Sequence, residues 1–431
     1  MKLLVFAHTP PPLHGQSYMV QLMLAGFGGN RAAGKGQPAA NPVDYGIECY
    51  HVNTCLSKRI EDIGEFHGSK LLRLFFYCVL AIGYRFRYGV TNFYYIPAPG
   101  KRSALYRDWM VMLLCRPFFK KMIFHWHAAG LAKWLETSAQ IRTRALTYRF
   151  MKQVDLSIVL SNYNRLDADK FFSRRVCIVA DGIPDPCPDF EATILPRRRQ
   201  RLEERKKLQS GDFAAGSRQG PGNGGFHQFN VLFLAHCTRG KGLFDAIDGV
   251  ALANRHLAEL KTPIRIHLTV AGEFMSASEK QEFQQRIQQP DLQVAGQQSC
   301  VRYLGFVTGE AKHRAFAESD CFCFPTHYYA ESFGLVVLEA MAFGLPVIAS
   351  RWRSIPELLP PNYPGIVPPR APDEIAKTLV QMITATSSET LRKHFLQHFT
   401  LEQHFLALAK ALHTVEKPLE NHTWVSAPQP S

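Results

Sequence analysis

The chain has 431 residues, 46% of them apolar and 20% charged, with a net charge of +14. That composition excludes a wholly disordered chain, and the length suggests two or three domains. The excess charge is local: residues 1–190 hold 24 basic and 13 acidic side chains, residues 191–229 hold 8 and 4, and residues 230–431 hold 18 and 19.

A basic front half beside a neutral back half is expected to meet something anionic. Ten scattered cysteines without a CxxC read as reduced thiols, hence a cytoplasmic protein. The apolar start at Met1–Val5 reads as a first strand rather than a signal, because His8 and the prolines after it cut the run short. Leu74 to Tyr84 is the longest uncharged apolar stretch. It is well short of the roughly 20 residues a spanning helix needs.

Along the chain, short apolar runs alternate with helical patterns. Lys2–Ala7, Phe93–Ile96, Lys121–His127, Leu156–Leu160 and Cys177–Ala180 read as buried strands. Ser17–Phe27, Leu71–Tyr84, Tyr106–Cys115 and Arg142–Lys152 read as the helices between them. Continuous apolar strands of this kind belong to a parallel sheet covered on both faces. Residues 1–190 are therefore expected to form a doubly wound α/β domain. From 191 to 229 the pattern stops in an arginine run and a Gly-rich stretch, which reads as a flexible linker or insertion.

A second α/β series follows over 230–390. Its strands are Val231–Ala235, Arg265–Ala271, Val301–Leu304, Cys321–Phe324 and Pro346–Ser350. Its helices are Leu243–Glu259, Ser278–Gln289, Glu310–Glu318 and Gly334–Phe343. Residues 391–415 read as one long terminal helical segment and 416–431 as a frayed tail. Two doubly wound halves leave strand-end clefts, where ligands bind in open α/β sheets.

The most informative segment runs from Phe324 to Pro346. A strand ends, a loop carries Glu331, and a helix begins near Phe333. Gly334 allows close backbone approach, and the free N–H groups of the first turn make an anion site suited to a phosphate. Glu339 lies eight residues after Glu331, about 12 Å along a helix axis. One carboxylate can face a sugar and the other a ribose, with a diphosphate between.

This segment, with Val301–Phe324 before it and Val347–Leu358 after it, resembles the two-glutamate signature of retaining glycosyltransferases of the GT-B fold, glycosyltransferase family 4. The resemblance implies that Glu331 contacts the donor sugar and Glu339 holds the ribose hydroxyls. It implies that Phe333, Gly334 and Leu335 line the sugar and phosphates. In Val231–Gly242, Lys241 matches the family's diphosphate-binding lysine. His236 stands where the family has an arginine, and Arg239 is a substitute for the missing charge. Gly15, in the loop after the first strand, matches a loop facing the donor phosphates. His127 matches a histidine beside the transferred sugar, with His125 in reserve.

The implied function is transfer of a sugar, with retention, from a nucleotide-sugar donor to a saccharide or lipid-linked saccharide acceptor. No metal or other cofactor is expected. Asp167-Ala168-Asp169 is a DxD, but it follows no strand and reads as a solvated helix start. His125 and His127 share a strand face, yet no third metal ligand has suitable spacing. Three rivals stand beside this reading: an inactive GT-B module that only binds donor, an epimerase, and a nucleic-acid-binding protein. No RNP, helix-turn-helix or zinc pattern supports the last, so nucleic acid is not an expected partner. Arg73, Arg85 and Arg87 around Leu74–Tyr84, with Arg116, Lys120 and Lys121 around Phe118-Phe119, point to peripheral docking on an anionic membrane surface.

Overall fold

The computed structural model describes residues 1–12, 15–34, 43–56, 68–210, 227–294, 298–385 and 388–418. It divides into two compact units. One is Met1–Leu160 with Arg165–Val179 and the chain from Phe405 on; the other is Ser161–Asn164 with Ala180–His404.

The first unit is built on six parallel strands: β1 (Lys2–Ala7), β2 (Glu48–Asn53), β3 (Asn92–Tyr95), β4 (Lys121–Trp126), β5 (Leu156–Val159) and β6 (Val176–Ile178). Their order is β2-β1-β3-β4-β5-β6. β3, β4 and β5 are buried almost throughout, which is why they read as continuous apolar runs. Phe93, Phe124, Trp126 and Phe171 fill the core with Leu74, Cys78 and Ala81 of the helix Gly68–Tyr88. β2 was not legible in the sequence. It is an edge strand, and its Glu-Cys-Tyr-His-Val-Asn carries polar side chains among the apolar ones.

The second unit repeats the plan. Its strands are β7 (His227–Leu234), β8 (Ile264–Ala271), β9 (Gln293–Val294), β10 (Gln298–Ser299), β11 (Val301–Gly305), β12 (Cys321–Phe324), β13 (Val347–Ser350) and β14 (Ile366–Val367). The main sheet is β11-β8-β7-β12-β13-β14, all parallel, and β9 with β10 forms a separate antiparallel pair. Cys321 and Cys323 are fully buried in its core, and all ten cysteines are free thiols.

Three expectations are corrected. The start of the expected linker is the helix Leu195–Ser210, which packs on the second unit. Its arginines hold it there: Arg201 Nε and Arg205 Nη1 reach Asp320 Oδ1 at 2.8 and 3.2 Å, and Arg205 Nε donates to the Ile383 carbonyl at 2.9 Å. Arg198 is 4% exposed and donates to the Phe343 and Ser319 carbonyls at helix ends. Burial draws its pKa down to about 10. The Gly-rich residues 211–226 and the tail 419–431 lie outside the described residues.

The terminal helical segment is two helices, Ser388–His398 and Leu401–His413. Between them the backbone of Phe399 and Leu401 bonds to Ile183, which pulls Thr400 out of helix. A Cβ on Gly182 would lie 2.4 Å from the Thr400 carbonyl oxygen, so that approach requires glycine.

Asp167, expected on a solvated face, is 3% exposed. Its carboxylate accepts the N–H groups of Gly130 and Ala132 at 2.8 and 2.7 Å, capping the helix Leu131–Thr137. Its neighbour Asp169 pairs with Arg165 one turn away.

Candidate functional site

In the second unit β7 and β12 are neighbours running parallel, with Cys321 opposite Val231. The loops leaving their C-terminal ends therefore emerge side by side. They touch closely. His327 N donates to the Gly240 carbonyl at 2.8 Å, and a Cβ on Gly242 would stand 2.2 Å from the Pro325 carbonyl oxygen. Gly242, at φ +82°, thus turns the first loop into the helix Leu243–Glu259 while passing under the second.

This approach brings Lys241 to Glu331. Lys241 Nζ donates to Glu331 Oε2 at 2.7 Å, and Thr326 Oγ1 donates to the same oxygen at 3.1 Å. Glu331 is 7% exposed and Thr326 fully buried, so the carboxylate is fixed on its loop. The ammonium also lies 4.9 Å from the centre of the Tyr328 ring and 5.6 Å from that of Phe324. Burial, and then its neighbour Tyr329, push the Tyr328 hydroxyl up to about 12.

The helix Leu335–Ala342 begins directly after this loop. Gly334 caps it at φ +90°, and a Cβ there would lie 2.8 Å from Ile355 Cδ1. Phe333 is buried against Phe399. Ser332 turns the chain: its carbonyl accepts from Asn164 Nδ2 at 2.8 Å and from Ser354 Oγ at 2.5 Å. Four residues into the helix, Glu339 receives Lys312 Nζ on Oε1 at 2.6 Å. First-turn N–H groups, two lysines and two oriented carboxylates have the chemistry to bind a polyhydroxylated molecule bearing a phosphate.

His236 and Arg239 sit differently. Arg239 Nη2 donates to Glu282 Oε2 at 2.5 Å, and its guanidinium stacks 4.8 Å from the centre of the Phe244 ring. Its charge is thereby engaged by Glu282. His236 lies two residues beyond β7 with its side chain reaching solvent. Its pKa is lowered, first by lost hydration and then by Lys241. At neutral pH it therefore adds no full positive charge.

The remaining predicted residues belong to the first unit. Gly15 is the first residue of the helix Gly15–Gly26, at the end of the loop that follows β1. His127 directly follows β4 and is buried, its ring 4.1 Å from that of His125 between centroids. His125 Nδ1 is 2.5 Å from the Tyr94 hydroxyl, so the reserve histidine is tied into the sheet.

Sequence reasoning missed Thr326, Lys312, Asn164 and Ser354. Lys312 lies 27 residues before Glu339, on the helix Gly309–Glu318, with no local pattern joining them. Glu357 lies in the downstream stretch Val347–Leu358 that shares the family resemblance. In the structure its carboxylate accepts the backbone N–H groups of Asn162 and Tyr163 at 2.7 and 2.8 Å.

Residues 231–385 match the family model described as Glycosyl transferases group 1. The amylovoran biosynthesis glycosyltransferase AmsK of Erwinia amylovora is 37% identical over 166 residues, 37% of this chain and 37% of that one. The chain spans 12% to 37% of the length of the curated relatives it matches. Among solved structures, sucrose-phosphate synthase from Thermosynechococcus elongatus superposes with a TM-score of 0.61 at 17% identity, covering 96% of this chain and 99% of that one. HepE of Anabaena, solved in complex with UDP-glucose, does so at 0.59 and 15% identity, covering 96% and 99%. The chain has the GT-B fold, and the stretch that matches the family model lies within its second unit.

Proposed function

We propose that this chain transfers a sugar, with retention of anomeric configuration, from a nucleotide-sugar donor to a saccharide or lipid-linked saccharide acceptor, as a peripheral protein at an anionic membrane surface. The single observation that carries the reading is the Lys241–Glu331 pair beside the Gly334 helix start. Solved GT-B neighbours in complex with UDP and UDP-glucose support a nucleotide-sugar donor. A relative named for amylovoran biosynthesis supports a role in saccharide assembly.

In this reading Glu331 contacts the donor sugar and Glu339 the ribose hydroxyls. An ammonium has three donors. Lys241 spends one on Glu331 and can offer the others to the leaving diphosphate. The N–H groups at the start of the helix Leu335–Ala342 point charge of the same sign at that anion. Such preorganised donors act where charge develops as the glycosidic bond breaks. The diphosphate oxygen freed there accepts the acceptor hydroxyl's proton, so no protein base is required. Arg239 is engaged by Glu282, so Lys241 and the helix dipole supply the positive charge, without a metal.

The test is a screen of nucleotide sugars for thermal stabilisation, followed by nucleotide release with candidate acceptors and NMR of the product anomer. Retained configuration and turnover that survives EDTA are expected. Inverted product would overturn the retaining mechanism. Donor binding without turnover on any acceptor would favour an inactive module, and donor conversion without acceptor an epimerase.

A further inference from the structure

The helix Gly68–Tyr88 is apolar on two faces, and the described residues cover only one of them. Leu74, Cys78 and Ala81 are fully or almost fully buried against the first unit's sheet. The opposite face carries Leu72 (73% exposed), Phe75 (49%), Phe76 (63%), Val79 (49%) and Phe86 (70%). At about 100° per residue these five side chains fall on one stripe, along the length of the helix. Phe118, in the turn after the helix Arg102–Cys115, extends the stripe: its ring stands 6.2 Å from that of Phe86, and Arg85 Nε donates to its carbonyl at 3.0 Å.

Among the described residues of these two helices and the turn between Cys115 and Lys121, the exposed charge has one sign. The helix Gly68–Tyr88 contains Lys70, Arg73, Arg85 and Arg87 and no Asp or Glu. From Lys101 to Lys121 the single acid is Asp108, fully buried and bound to Arg107 and to the Tyr95 hydroxyl. Arg73, Arg87 and Lys120 are exposed. A second copy of this chain docked face to face would set these cations against one another, and among the described residues this face offers no exposed acid to pair with them. A surface with an apolar interior and an anionic rim of headgroups matches both features. Among the described residues no helix is long and apolar enough to cross a membrane.

We infer that the face formed by Leu72, Phe75, Phe76, Val79, Phe86 and Phe118 lies in the headgroup region of an anionic lipid bilayer, with Arg73, Arg87 and Lys120 on the lipid phosphates. This names the surface by which the membrane placement in the proposed function would be made. It rests on that reading only for its purpose, since the patch stands without any transfer reaction. The helix lies in the interface plane, its stripe inserted and its buried face kept on the sheet.

The test is co-sedimentation of the full chain with phosphatidylcholine vesicles and with phosphatidylcholine–phosphatidylglycerol vesicles, at low and high salt. Binding to the anionic vesicles is expected to fall steeply with salt. Arg73→Glu with Arg87→Glu and Lys120→Glu is expected to weaken it by about fivefold per residue or more. Phe75→Ser with Phe76→Ser and Phe86→Ser is expected to weaken it at least tenfold at low salt, by removing the inserted groups. All these side chains are exposed, so circular dichroism and the melting temperature should stay close to the parent's. No binding at low salt, or binding indifferent to the phenylalanine changes, overturns the inference. So does a stable dimer in solution that the phenylalanine changes convert to monomer. Transfer to a water-soluble acceptor is read in parallel: loss of vesicle binding with transfer intact supports the surface, and absence of transfer in the parent protein speaks to the reaction alone.

Discussion

Lys312 Nζ lies 2.6 Å from Glu339 Oε1, with both side chains only partly exposed. The two come from different helices, Gly309–Glu318 and Leu335–Ala342. Glu339 is thus a held carboxylate, in one orientation. The same holds for Glu331 with Lys241 and Thr326. Each glutamate of the pair has its own lysine, and preorganisation of this kind lowers what binding must spend on ordering.

Replacing Lys312 by alanine should therefore act on donor binding. KM for the donor is expected to rise by about tenfold with kcat within about twofold, because the proposed ribose contact would be made before the transition state. Lys312→Arg should recover most of the affinity. Unchanged KM in Lys312→Ala would mean that Glu339 needs no partner.

Glu331 and Lys241 should behave as a unit. Either alanine variant is expected to lose about a hundredfold or more in kcat while remaining folded, and the double variant should lose far less than the product of the two. Comparable turnover in a folded Glu331→Ala protein would remove the site assignment.

The helix Leu195–Ser210 makes a structural test. Asp320 is 2% exposed and binds Arg201, Arg205 and the Asn230 N–H. Asp320→Ala leaves Arg205 buried without its carboxylate, and breaking such a pair costs about 3 kcal/mol or more. A clear fall in melting temperature is expected, and removal of residues 195–210 should cost more still. A variant as stable as the parent would show that the arginines contribute only solvated contacts.

That helix also marks where the sequence misled. Its sixteen residues run Leu-Pro-Arg-Arg-Arg-Gln-Arg-Leu-Glu-Glu-Arg-Lys-Lys-Leu-Gln-Ser, a composition that buries little apolar surface. What fixes it is long-range: Asp320, 119 residues after Arg201, and carbonyls at the ends of other helices. No local window contains those partners. The same holds for Lys312 with Glu339, and for Asp167, whose two N–H donors lie 35 and 37 residues earlier. By contrast β3, β4, β12 and the loop Thr326–Gly334 were legible, because continuous apolar burial and a glycine at a helix start are local signals. The strand-end placement of Lys241 and Glu331 then followed from parallel topology.

His404 supplies a prediction in pH. It is 3% exposed, and its Nδ1–H donates to the Ala180 carbonyl at 2.8 Å, which fixes the neutral tautomer. Burial lowers its pKa to about 4, against 6.5 for the ordinary side chain. The folded pKa is depressed, so between the two values the unfolded chain binds a proton that the folded chain does not. Stability from this residue is then full above about pH 6.5 and is lost as pH falls toward 4. At pH 5 the loss amounts to about 2 kcal/mol. Other histidines with lowered values, among them His51 and His267, act in the same direction, so the measurement is a difference. In urea titrations at pH 7.5 and pH 5, the His404→Asn variant, which keeps an N–H toward Ala180 but cannot ionise, should lose about 2 kcal/mol less than the parent protein on acidification. Equal losses in the two proteins would show that His404 takes up its proton in the folded state as readily as in the unfolded one.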